Sequence, residues 1–159
     1  MIPEIPYDIN KVIQAIEERD KRGSRFTIIA VAEGAISKED AKLTKKEYKE
    51  KLKKRTVPSV SYEVAALIQE RTGREVRVTV PGHVQRGGSP CPYDRVFASR
   101  LGSKAGKMIL EGDYGYMVGY KNREMVKVPL EEVAGKLKTV APDSSIVKEA
   151  KLLGICFGD

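Results

Sequence analysis

Residues 81–90, PGHVQRGGSP, gather side chains suited to one kind of chemistry. They hold the chain's single histidine, His83, with Arg86 three positions on and the pair Gly87–Gly88 behind it. A guanidinium donates hydrogen bonds in a planar fork, and an imidazole donates from a ring nitrogen. A glycine turn lets the backbone bend sharply and present bare N–H groups. Together these donors suit an oxyanion, above all a phosphate. Arg77, a little upstream, offers a second guanidinium. Glu33 sets a carboxylate directly after an apolar run, where burial without a partner would be costly. The residues alone point to an anion pocket for a phosphorylated small molecule.

The elements that must position these groups follow from periodicity. Ile9, Val12, Ile13 and Ile16 predict a helix over 9–21, with Asp8 as N-cap and Gly23 as its stop. FTIIAVA, 26–32, is a short β-branched apolar run that predicts a parallel strand covered on both faces, ending at Glu33. SYEVAALIQERTG predicts a second amphipathic helix closed by Gly73. EVRVTV, 75–80, alternates, with Val76, Val78 and Val80 on one side and Arg77 on the other. A long helix is expected over 92–111, with Val96, Phe97, Leu101, Ala105, Met108 and Ile109 inward. A hairpin is expected over 116–130, and short helices over 130–138 and 145–153. Helices between strands predict an α/β fold with largely parallel sheets flanked by helices. In such sheets ligands bind beyond the carboxyl ends of strands, where Glu33, His83 and Arg86 all fall.

Composition narrows the class. A chain of 159 residues with 41% apolar and 32% charged residues is globular in character. No apolar run approaches the roughly 18–20 residues of a membrane helix, and the N-terminus lacks a basic start followed by an apolar block. Cys91 and Cys156 are far apart, which suggests reduced thiols in a cytoplasmic protein and excludes a structural zinc site. The net charge is +7. Residues 38–55 carry much of it, and they predict a solvated helix with pairs such as Glu47–Lys51 and Glu50–Lys54. A nucleic-acid surface is disfavoured, because Tyr48 is the segment's only aromatic residue.

The run RVTVPGHVQRGGSPCPYDR, Arg77 to Arg95, closely resembles the signature of 6-phosphofructokinases: an arginine, a Gly-His pair, Gln-Arg-Gly-Gly, a proline-rich turn and Asp-Arg. The likeness continues into VFASRLGSKAG, MVGY, FTIIAVAEG and ERTGREVRVTV. It implies that His83 and Arg86 contact the phosphate of fructose 6-phosphate and that Glu33 hydrogen-bonds sugar hydroxyls. Arg77 would reach a phosphate bound mainly by a neighbouring subunit of a homo-oligomer. Residues 1–84 would form part of the fructose 6-phosphate-binding domain and 85–135 the carboxyl-terminal part of the nucleotide domain. Residues 136–159 would be a tail crossing back.

Members of that family are roughly twice as long. Their amino-terminal half carries a Gly-rich phosphate loop, a Gly-Thr-x-Asp-Asn-Asp run with the catalytic base and a Met-Gly-Arg sugar contact, none of which occurs here. The resemblance therefore implies a carboxyl-terminal portion without catalytic or metal-binding residues of its own. Mg²⁺ with ATP or pyrophosphate would be bound mainly by the other half, and the 159 residues alone would be inactive. The alternatives are a non-catalytic sugar-phosphate-binding or regulatory module and a basic nucleic-acid-binding domain.

Overall fold

The computed structural model describes every residue from Met1 to Asp159. Helices and strands both form, so the α/β class holds. The chain divides into two compact units, one of Met1–Val80 with Thr139–Asp159 and one of Pro81–Lys138.

In the first unit, helix α1 spans Ile9–Lys21. The Asp8 side chain accepts the Asn10 N–H at 2.9 Å, satisfying one of the orphan donors of the first turn. Gly23 ends the helix at φ +86°, its N–H bonded to the Asp20 carbonyl at 2.8 Å. Helix α2 spans Lys45–Lys53 and α3 spans Val60–Thr72, the latter stopped by Gly73 at φ +67°. Ile9, Val12 and Ile16 of α1 meet Val60, Val64 and Ile68 of α3 in one buried cluster with Tyr7 and Ala35. Burying each large aliphatic side chain contributes about 1.5–3 kcal/mol. Arg55 grips Glu63 through two bonds, Nε to Oε1 at 2.9 Å and Nη2 to Oε2 at 3.1 Å, fastening the segment after α2 to α3.

The two runs expected as parallel strands form no ladder with each other. Met1 donates to the Ala30 carbonyl at 2.8 Å and accepts from the Ala32 N–H at 3.1 Å, the two-bond pattern of a single parallel rung. Tyr7 and Ser37 form a second parallel bridge. Residues 26–32 were also expected to be covered on both faces. Instead Ile29 and Val31 pack on the core, while Phe26 and Ile28 are 70% and 83% exposed. Residues 75–80 do not join a sheet, although Val76 reaches the same core. The physical reason is that a strand exists only through ladder bonds to a neighbour, and these residues meet too few.

The basic segment is likewise not one helix. A 3₁₀ turn, Asp40–Lys42, precedes α2. Between them Thr44 accepts the Glu47 N–H while the Glu47 carboxylate takes the Thr44 N–H at 2.8 Å and hydroxyl at 2.7 Å. Those bonds from Thr44 hold the Glu47 carboxyl below its ordinary pKa. Committed to that cap, Glu47 does not pair with Lys51, which reaches Asp40 at 2.6 Å instead, and Glu50 takes Lys53 at 2.8 Å rather than Lys54. Helix α6, Ser145–Leu152, completes this unit and buries Val147.

In the second unit, α4 spans Pro92–Leu110, and β1, Tyr116–Lys121, pairs antiparallel with β2, Glu124–Pro129. Asn122 and Arg123, both at positive φ, make the tight turn of the expected hairpin. Helix α5, Leu130–Val133, is shorter than expected; the chain turns extended at Ala134, and Gly135 follows at φ +72°. Of the α4 residues expected inward, Met108 is buried, but Val96 and Ile109 are mostly exposed, because the hairpin covers only one side of the helix. No helix is long and apolar enough to cross a membrane.

Candidate functional site

Gly82–Arg86 forms a 3₁₀ turn. Its bonds run from the Val84 N–H to the Pro81 carbonyl and from the Gly87 N–H to the Val84 carbonyl, both at 3.1 Å. Gly82 enters at φ +53° and Gly88 leaves at φ +90°, conformations open to glycine and strained for a residue with a Cβ. Gly87, by contrast, is extended, so only one of the two adjacent glycines needs its freedom.

His83 and Arg86 thus stand three positions apart on one short turn. Both are exposed, and the hydrogen-bond and ion-pair network of the chain leaves both side chains free. Every residue from Pro81 to Pro90 is exposed and none is acidic. This stretch can thus offer an imidazole and a guanidinium, with no competing carboxylate of its own, to an anion.

Arg77 and Glu33 lie in the other unit. Arg77 is highly exposed, and its guanidinium already holds Glu75, with Nε and Nη2 each 2.8 Å from Oε1. Glu33 is exposed just past the Met1–Ala32 bond. Gly34 follows it where an added Cβ would stand 3.1 Å from Pro3, a crowding that favours glycine. His83 and Arg86 thus share one turn, and Arg77 and Glu33 share neither that turn nor a hydrogen bond with each other.

Sequence reasoning gave no role to the residues just after the glycines. Cys91 caps α4, its N–H 3.4 Å and its Sγ 3.1 Å from Asp94 Oδ2, and Arg95 Nε donates to the Pro90 carbonyl at 3.2 Å. The three-residue spacing from cap to carboxylate was the available signal, hidden because a cysteine stands where serine or threonine is usual.

Comparison with known proteins identifies the family of the chain. The family model described as phosphofructokinase matches residues 1–109. An ATP-dependent 6-phosphofructokinase of Spirochaeta thermophila is 50% identical over all 159 residues of this chain and 43% of its own length. One from Chloroflexus aurantiacus is 41% identical, with the same shares covered. ATP-dependent 6-phosphofructokinase 3 of Bacteroides thetaiotaomicron is 40% identical over 99% of this chain and 42% of that protein. The chain thus spans less than half the length of these relatives. A matched family model over most of the chain, and a relative sharing half of its residues, show that it belongs to the phosphofructokinase family.

Proposed function

We propose that this chain is the fructose 6-phosphate-contacting, carboxyl-terminal portion of an ATP-dependent 6-phosphofructokinase. The exposed, unpartnered pair His83 and Arg86, three positions apart on one turn, carries this reading. On it, the two side chains bind the sugar phosphate by charge-assisted hydrogen bonds, and Glu33 accepts from sugar hydroxyls. Arg77 leaves Glu75 to reach a phosphate held mainly by another subunit of a homo-oligomer. The division into Met1–Val80 with Thr139–Asp159 and Pro81–Lys138 supports an allotment of 1–84 and 136–159 to a sugar-phosphate domain and of 85–135 to a nucleotide domain. The names of the relatives favour ATP over pyrophosphate. The same names support the reading of a glycolytic enzyme, and on that reading it acts in the cytoplasm.

Phosphoryl transfer works by positioning the donor and acceptor and neutralising charge. These residues do the acceptor's share: they hold the sugar phosphate at one end so that its hydroxyl is presented at the other. Magnesium would accompany the nucleotide and neutralise charge on its phosphates. On this reading it is held mainly by the amino-terminal half of the enzyme.

In the full-length enzyme, His83→Ala and Arg86→Ala should each raise KM for fructose 6-phosphate roughly tenfold or more. A hydrogen bond to a charged group contributes about 1.5–3 kcal/mol. KM for ATP should change little. Steady-state kinetics with each substrate varied in turn decides it, and unchanged sugar-phosphate kinetics in both variants would sink the assignment.

A further inference from the structure

We infer that Arg95, with Asp94, is a positioning residue for the phosphate-contacting turn; the inference deepens, and rests on, the function just proposed. His83 and Arg86 are joined to α4 only through the strap Gly87–Cys91. That strap contains two glycines, the residues with the most backbone freedom, and none of its side chains is buried. Packing within this chain therefore does not hold it in place.

Hydrogen bonds do. At the near end the Gly87 N–H is tied back to the Val84 carbonyl at 3.1 Å. At the far end the Asp94 carboxylate takes both the backbone N–H and the Sγ–H of Cys91. Between them, the Arg95 Nε donates to the Pro90 carbonyl at 3.2 Å, and that is the one side-chain bond made to the strap's interior. The proline ring fixes φ at position 90, so a bond to its carbonyl sets the orientation of the whole peptide group that follows. Arg95 is itself set on a helix: its N–H bonds the Cys91 carbonyl at 3.2 Å, and its carbonyl accepts the Ser99 hydroxyl at 2.9 Å. A rigid element thus reaches back through a guanidinium to aim a flexible one. Misplacing a binding group by about 1 Å can cost as much as a hundredfold in rate, so the aim of such a strap has a kinetic readout.

The test uses the full-length enzyme with Arg95→Met, which keeps length but removes the donors, Arg95→Lys, which keeps a donor, and the pair Asp94→Ala and Asp94→Glu. Amide hydrogen exchange of the peptide covering 81–91 is read beside KM and kcat for each substrate. Arg95→Met should speed exchange at Gly87 and Cys91 and raise KM for fructose 6-phosphate about three- to tenfold, with KM for ATP within about twofold. Arg95→Lys and Asp94→Glu should recover most of the loss; Asp94→Ala should resemble Arg95→Met. If exchange and sugar-phosphate KM are unmoved by Arg95→Met and Asp94→Ala, or if only kcat and stability fall, the inference is overturned. His83→Ala and Arg86→Ala serve as controls in the same series. Should they respond while Arg95→Met stays silent, the positioning role alone fails. Should they be silent too, the sugar-phosphate reading of the turn fails with it.

Discussion

Of the buried apolar side chains, only Met108 lies in the unit Pro81–Lys138; all the others lie in Met1–Val80 and Thr139–Asp159. The first unit is held by a core shared between α1 and α3. The second is held by directional contacts. Tyr93 stacks on Phe97 at 5.7 Å, Phe97 meets Tyr120 edge-on at 5.0 Å, and Arg100 lies over Tyr120 while donating to the Arg123 carbonyl at 3.1 Å. Aromatic pairs contribute about 0.5–1.5 kcal/mol each beyond burial, and an exposed cation–π contact about 0.5–1 kcal/mol. Regions with few buried contacts open at lower free energy. The turn bearing His83 and Arg86 sits in that second kind of unit, where individual hydrogen bonds decide geometry. Glu33 sits on the cored one.

Substitution can break this contrast. The largest effect should come from Ile68→Ala in the 159-residue chain, which removes buried methylenes from the α1–α3 cluster and should cost about 2–5 kcal/mol. Val96→Ala on α4, where the side chain is 61% exposed, should stay within about 0.5 kcal/mol. Urea denaturation midpoints compare the two, and equal costs would remove the distinction between the units.

A smaller effect is expected inside the hairpin. A Cβ on Gly119 would stand 2.8 Å from Val128 Cγ2 and 3.5 Å from Val126 Cγ2. Valine is stiff about χ1 and cannot swing aside freely. Gly119→Ala should therefore destabilise by about 1–3 kcal/mol. A tolerance of this change, seen as an unmoved thermal midpoint, would mean that the hairpin is more plastic than its register suggests.

The smallest effect sharpens the description of the core. Burial pushes the Tyr7 phenol from 10.0 up to about 12, and the charges of Glu63 and Asp40 add to it. The folded state thus keeps a proton that the unfolded state releases first. This contribution is complete below about pH 10 and is lost as pH rises through about 12. Tyr7→Phe should flatten that alkaline decline. Denaturation midpoints at pH 8, 10 and 11.5 would show it, and parallel declines in both proteins would assign the loss to another group.

Much of the local structure was legible because its signals are local. Asp8 and Gly23 frame α1 and Gly73 closes α3, and the hairpin falls where alternating residues flank Asn122. The strands were not legible in the same way. FTIIAVA has strand composition, but composition does not supply the neighbour whose N–H and C=O groups make a ladder. The break at Thr44 was legible too, since TKKE carries the capping-box pattern, although charges at helical spacing run across it. At the site, residue types pointed to anion chemistry, yet nothing in them showed Arg77 tied to Glu75. Residues two apart in an extended chain lie on one side, so the face that carries Arg77 also carries its partner. Nor did periodicity assign a task to Arg95, whose bond runs backwards onto a proline carbonyl.

The tail returns to the start of α1. The Gly158 carbonyl accepts the Asp8 N–H at 2.7 Å, and a Cβ on Gly158 would collide with Tyr7 at 2.9 Å. Lys11 bonds the Asp159 carbonyl across a separation of 148 positions. Chain elongation runs at roughly 5–20 residues per second, so about 7–30 s pass between the synthesis of these two partners. Throughout that interval Tyr7 and Val12 lack the strand of backbone that covers them, while Pro81–Lys138 is made and free to order by its own contacts. Synthesis order therefore lets the smaller unit order before the larger one is sealed, and it leaves a timed interval in which that end of the core stands open.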